Sequence, residues 1–355
     1  MPEINLAAEP HPTVVKIPNT NLRQAMPDIL KVLAILSVVY IHGSSLITYS
    51  ESGFDLNAPV MQLAERALRF CVPIFIFLWA YFMEKSVIKR GRESVMPKFY
   101  SLFVPYLFWS VVYFLLLADF RHLGIAAIVT KHFSGYGWSG QYYFIILFQL
   151  VLLFPLITTV SQKLIKYVPW IFICGILFYA GLSYSGWFHV SAISKINDRV
   201  FIYWLPYAIL GIIYAHRNIF SFQLPLYAGI ILLAIIPAEI YWLHPQQVSL
   251  YLIPGVFIST MLLAGTLENK IDYESLPAAL AKTVSMIARN TLGIFCLNPL
   301  VYITLLPVLN TMNIHLQFPG ASVVIPVFST LLITSICLLI INLLKALKLG
   351  FLVAN

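Results

Sequence analysis

Apolar residues in this chain fall in long unbroken runs, many near 20 residues, separated by short polar stretches. A helix needs about 20 such residues to cross the roughly 30 Å hydrocarbon core of a bilayer. The runs predict ten spans, at about 28–48, 68–84, 99–118, 142–160, 168–187, 200–215, 221–243, 248–266, 284–309 and 321–344. The short, alternating segments of a membrane barrel are not the pattern here. The expected fold class is therefore all-α, a polytopic transmembrane helical bundle. Residues 1–27 are polar and the first apolar run has no small-residue cleavage site, so that run is expected to be a retained signal anchor. Residues 28–355 are expected to form a single membrane domain.

Charge gives the orientation. With the N-terminus in the cytoplasm, 16 of the 22 Lys and Arg fall on inner segments and six on outer ones. That asymmetry follows the positive-inside rule. An even number of spans puts both termini in the cytoplasm.

Composition narrows the class further. The chain has 355 residues, 60% hydrophobic and 10% charged, with a mean hydropathy of +0.86. No segment is long and polar enough to be an appended soluble domain. The net charge of +8 is scattered between spans, which argues against nucleic acid as a partner. Cys71, Cys174, Cys296 and Cys337 sit inside apolar runs at no metal-ligand spacing and are expected to be small buried hydrophobes. The inner stretch 85–98, KSVIKRGRESVMPK, is strongly basic. It reads either as a topology signal attracted to anionic headgroups or as a dock for an anionic cytosolic ligand. Neither a P-loop nor a dinucleotide fingerprint is present. The lack of an evident inverted repeat disfavours a secondary transporter.

The candidate chemistry starts in the first span, PDILKVLAILSVVYIHG, Pro27 to Gly43. Lys31 and His42 are eleven positions apart, so they point within roughly 20° of each other, about 16 Å apart along the axis. Asp28 is an i,i+3 neighbour of Lys31. Three ionisable groups on one stripe of a spanning helix indicate a functional face, and a neutral imidazole can serve as a general base. Arg66 and Arg69 open the second span, with Glu65 at i−4 of Arg69. They either snorkel to the interface or stabilise negative charge. Glu239, His244, Asp198, Arg199 and His189 lie near outer span ends. Gln149, Asn298 and Asn342 are expected to hydrogen-bond between helices.

These residues resemble the integral-membrane acyltransferase 3 family, which includes bacterial polysaccharide O-acetyltransferases. The resemblance extends over nearly the whole chain and is nearest to the branch acting on enterobacterial common antigen. Asp28, Lys31 and His42 match the family's opening register. RFCVPIFIFLWAYFM (Arg69 to Met83), VPYLFWSVVY (Val104 to Tyr113), QYYFIILFQLVLLFPLI (from Gln141) and ARNTLGIFCLNPLV (Ala288 to Val301) match its later segments. This chain departs in having Lys31 for an Arg and Trp79-Ala80 for Ser-Gly. It also has Lys98 and Ser101 near a usual R-x-x-R, and Asn298 for a His.

The resemblance implies O-acyl transfer from cytosolic acyl-CoA to a hydroxyl of a cell-surface or lipid-linked glycan. It places the protein in the bacterial inner membrane, with acetyl-CoA as co-substrate and no permanently bound cofactor or metal. His42 would be the general base or a transient acyl acceptor, and Arg69 would stabilise developing charge. Asp28 belongs to the same group. Lys31, Lys98, Arg90 and Arg92 would bind the donor, while Glu239 and Arg66 are candidates for an outer pocket. A lipid-linked oligosaccharide flippase or exporter, and a non-catalytic assembly partner, are the alternative readings.

Overall fold

The computed structural model describes residues 24–47, 59–117, 124–185, 199–217, 219, 224–243, 249–269, 271–311 and 321–353. Among them all regular structure is helical, apart from one isolated bridge between Gln24 and Asp272. A helix pairs its own backbone N–H and C=O groups, and hydrocarbon offers no other partner for them.

Helix α1 (Met26–Ile47) runs antiparallel to α3 (Cys71–Arg90), which follows the short α2 (Pro59–Ala67). Lys31, near the start of α1, lies over Phe82, near the end of α3. We call the end of the bundle holding Lys31 proximal and the opposite end distal. α4 (Val95–Leu117) starts at the proximal end, and α5 (Ile125–Phe133) follows it. The basic stretch 85–98 is therefore not the loop expected: α3 continues to Arg90 and α4 begins at Val95. A turn around Gly91, whose φ is 79°, joins them, a conformation open to glycine without strain.

α6 (Gln141–Leu164) and α7 (Val168–Tyr184) are joined by a single 3-10 turn, Ile165–Tyr167. Extended straight, residues 142 and 183 would lie about 60 Å apart. Yet Tyr142 hydrogen-bonds Tyr251, and Ser183 donates to the carbonyl of the adjacent Leu252 at 2.9 Å. The two helices therefore reverse direction at the turn, and both outer ends meet the segment 249–253.

α8 (Leu205–His216) lies parallel to α3, since Gly211 meets Phe77 and His216 meets Glu84 further along both helices. Its contact is close because Gly211 faces the Phe77 carbonyl, where an added Cβ would overlap the backbone oxygen. Around this seam Phe77, Trp204, Tyr207, Leu210 and Ile213 are buried. α9 (Leu226–Ile231) and α10 (Ile235–Leu243) form one apolar run, followed by α11 (Pro254–Ala264), α12 (Ala278–Arg289), α13 (Thr291–Thr311) and α14 (Ala321–Ala346).

Among the described residues six helical stretches are long and apolar enough to cross a membrane, with 141–184 counted once, and the bent pair 278–289 and 291–305 makes a seventh. Phe201–His216 and Pro254–Glu268 are apolar but shorter. The predicted span 284–309 is corrected. The chain bends by 77° between α12 and α13, so the membrane helix starts at Thr291. Asn290 makes the corner by donating to the Met286 carbonyl at 2.7 Å and accepting from Lys345 Nζ at 2.7 Å. Two other expectations fail for the same reason, an outward-facing position. Asn342 is exposed and joins no neighbouring helix by a described contact, and Cys174 is exposed while the other three cysteines are buried.

The Gly211 seam predicts that Gly211→Val lowers thermal stability in detergent by about 1–3 kcal/mol through overpacking. Gly181→Ala, with nothing within 4 Å of the added Cβ, leaves the melting curve unchanged or raises it.

Candidate active site

The polar stripe of α1 has its two ends in different surroundings. At the proximal end Asp28 is 3% exposed. Lys31 Nζ donates to its Oδ1 at 3.1 Å, and the Tyr273 hydroxyl donates to its Oδ2 at 2.7 Å. The Lys31 ammonium sits 4.3 Å from the Phe82 ring centre. Lys98 Nζ donates to the Phe82 carbonyl at 3.1 Å. Arg90, held by Ser86 at 2.7 Å, lies within electrostatic reach of Lys98, as does Lys31. Three cations thus gather at the junction of α1, α3 and α4, two of them on Phe82. Arg92 is exposed in the turn before α4 and is not drawn into this group by any described contact.

At the distal end His42 Nδ1 lies 2.6 Å from Asn298 Oδ1, joining α1 to α13. Four residues further along α13, Tyr302 donates to the Val39 carbonyl at 2.9 Å. The approach is close enough that a Cβ at Gly43 would overlap the Tyr302 hydroxyl. Arg69 completes the cluster from the turn opening α3. It pairs with Glu65, shares a hydrogen bond with Tyr251 and lies 5.2 Å from that ring's centre. It also acts electrostatically on His42. Arg69 Nε is buried without a hydrogen-bond partner among the described residues. Arg66, three residues earlier, is half-buried and joins neither group by a described contact.

The structure thus brings His42 and Arg69 together and separates Asp28 from both. Fourteen residues along one helix put Asp28 about 21 Å from His42, and Lys31 and Tyr273 occupy its two oxygens. Glu239 also has a structural task. Its Oε1 accepts from Tyr184 at 2.6 Å, and its other oxygen accepts the Gly255 N–H at the start of α11. An acceptor there satisfies an orphan donor of the helix N-terminus. Gln149 bridges as expected, donating to the Arg199 carbonyl at 2.8 Å and accepting the Phe201 N–H at 3.0 Å. His189, Asp198 and His244 lie outside the described residues.

Sequence reasoning missed Tyr251, Tyr142 and Tyr273, whose roles depend on loops returning to helix ends. It also missed a second buried cluster. Glu84, 1% exposed, accepts from Thr158 at 3.0 Å and meets His216 Nε2 at 2.7 Å, joining α3, α6 and α8. The available signal was a carboxylate directly after an unbroken apolar run.

Comparison with known families matches residues 25–342 to the Acyltransferase domain of the acyltransferase 3 family. No curated protein and no solved structure matches the chain. The matched stretch takes in both ends of the α1 stripe and the α13 helix that carries Asn298. With more than half of its length matched, this multi-pass membrane protein belongs to the acyltransferase 3 family.

Proposed function

We propose that the protein is an O-acyltransferase moving an acetyl group from cytosolic acetyl-CoA to a hydroxyl of a cell-surface or lipid-linked glycan. The observation that carries this reading is the α1 stripe. A cationic group at one end of the helix and an imidazole beside an arginine at the other are about 16 Å apart along the axis. The proximal end is assigned to the cytoplasm, with ten spans and both termini inside. The α6–α7 reversal supports that count, because it makes two spans of one continuous 44-residue helical stretch. The membrane is taken to be the bacterial inner membrane. The acceptor is taken to be a glycan of the enterobacterial common antigen kind, from the resemblance of the opening helix and later segments to that branch.

In this reading Lys31, Lys98 and Arg90 bind the donor's phosphates, and Arg92 offers further positive charge at the surface. The flexible pantetheine arm carries the thioester along α1. His42 takes the proton of the acceptor hydroxyl as its oxygen attacks the thioester carbonyl. Arg69 stabilises the oxyanion that forms. The carbon–sulfur bond then breaks, and the proton on the imidazole passes to the departing CoA thiolate. Asp28 acts through Lys31, by holding it in place. Glu239 and Arg66 border the acceptor side without touching the reacting atoms.

Membrane vesicles supplied with radiolabelled acetyl-CoA should label a glycan or lipid-linked fraction. His42→Ala should lower that labelling by about 100-fold or more. Undiminished labelling in the variant removes His42 from the mechanism. No labelling by wild-type vesicles that contain the native glycan overturns the enzyme reading. Lys98→Gln and Arg90→Gln should each raise the KM for acetyl-CoA about fivefold, the scale of a partly exposed charge contact, with kcat unchanged. In a Cys174→Ser background, a cysteine at Lys166 should react with an impermeant maleimide in inside-out vesicles. One at Tyr136 should react in right-side-out vesicles, and the opposite pattern reverses the assignment.

A further inference from the structure

We infer that Asn298 is a positioning residue that keeps the proton of neutral His42 on Nδ1, so that Nε2 is the basic atom. This rests on the proposed role of His42 and adds to it which nitrogen does the work and what fixes that choice.

The argument begins with a proline. Pro299 lies inside α13 and has no N–H, so the carbonyl of Phe295, four residues back, loses its helical donor. The Asn298 side chain replaces that donor. Its Nδ2 donates to the Phe295 carbonyl at 2.8 Å and to the Ile294 carbonyl at 3.0 Å. The same break is repaired one residue on. The Leu300 N–H donates to the Tyr113 hydroxyl at 2.9 Å, and that hydroxyl donates to the Cys296 carbonyl at 2.7 Å.

Two backbone carbonyls can only accept. The amide atom facing them is therefore the NH2 group, and its orientation is fixed by chemistry. The oxygen is then the atom 2.6 Å from His42 Nδ1. An amide oxygen has no proton to give, so Nδ1 carries the hydrogen and donates it. The lone pair of the neutral ring is left on Nε2. Asn298 is fully buried, so water does not compete for its oxygen. The Asn298-Pro299 pair acts as one unit: the proline frees the carbonyl, the carbonyl orients the amide, and the amide sets the tautomer.

The charged and titratable groups around the imidazole come from several elements. Arg69 acts on it from the start of α3, with Glu65 and Tyr251 behind that arginine. Tyr40 lies on α1 itself, and Cys296 and Tyr302 lie on α13. Among the described hydrogen bonds, Asn298 is the partner of the ring.

The test measures kcat, the KM for acetyl-CoA and the pH profile of acetyl transfer in proteoliposomes. It compares wild type, His42→Gln, Asn298→Leu and Asn298→Asp. Asn298→Leu leaves both tautomers open and should lower kcat by at least about tenfold, within the span of one acid–base group, with the donor KM changed less than twofold. Asn298→Asp keeps an acceptor against Nδ1 but loses the donor to the Phe295 and Ile294 carbonyls, so it should retain more activity than Asn298→Leu. Its carboxylate favours the protonated ring, so the acid limb of kcat should move to higher pH. A purely structural role would leave that limb in place. Wild-type kcat and pH profile in both Asn298 variants, with His42→Gln inactive, overturn the inference and leave the base intact. Activity in His42→Gln overturns the reading beneath it and the inference with it. If Asn298→Leu fails to accumulate, an unshifted acid limb in Asn298→Asp is by itself sufficient to overturn the inference.

Discussion

An ionisable side chain inside an apolar span costs several kcal/mol unless it is given polar partners, and that constraint decides which helices of this protein touch. His42 is met by Asn298 across α1 and α13. Glu84 is met by Thr158 and His216 across three helices. Asp28 draws in Tyr273 from beyond α11, and Arg69 draws in Tyr251. Dispersion packing between Leu, Ile and Phe surfaces has no such direction, because lipid tails are nearly as good a neighbour. Few polar atoms therefore carry most of the specificity of this bundle, while the apolar faces supply bulk.

The same economy divides the molecule along its axis. Proximal polar groups include Lys31 over the ring face of Phe82, Lys98 on its carbonyl, and Arg90 within electrostatic reach of Lys98. Distal ones are His42 and Arg69, with tyrosines and one carboxylate close by. α1 is the element common to both ends. Its intervening residues Ala34, Ile35 and Val38 are buried and apolar, so the stripe is polar at its two ends and apolar between them.

Much of this was legible in the sequence. Helical periodicity put Lys31 and His42 on one stripe, and the i,i+4 spacing of Glu65 and Arg69 anticipated their pairing. Hydropathy gave the all-helical class and most of the runs. It did not give the corner at Asn290, because a window average does not register a 77° bend between two helices. The short stretches 201–216 and 254–268 counted as full spans on the same average. Tyr251 and Tyr142 could not be found by periodicity, since each is placed by the return of a distant segment. From the sequence Asn298 reads as an interhelical hydrogen-bond former, and it is one. Its partner depended on a register between α1 and α13 that no local pattern encodes.

The reversal at Ile165–Tyr167 joins α6 and α7 without an extended loop, so the near ends of the two helices are held a single turn apart. Their outer ends grip neighbouring residues of one segment, Tyr251 and Leu252, and Tyr251 in turn holds Arg69. The hairpin is thus a two-pronged fork whose handle sits at the proximal surface. A tilt imposed at that handle, by a lipid headgroup or a neighbouring protein, would reach the arginine beside His42 through both prongs at once.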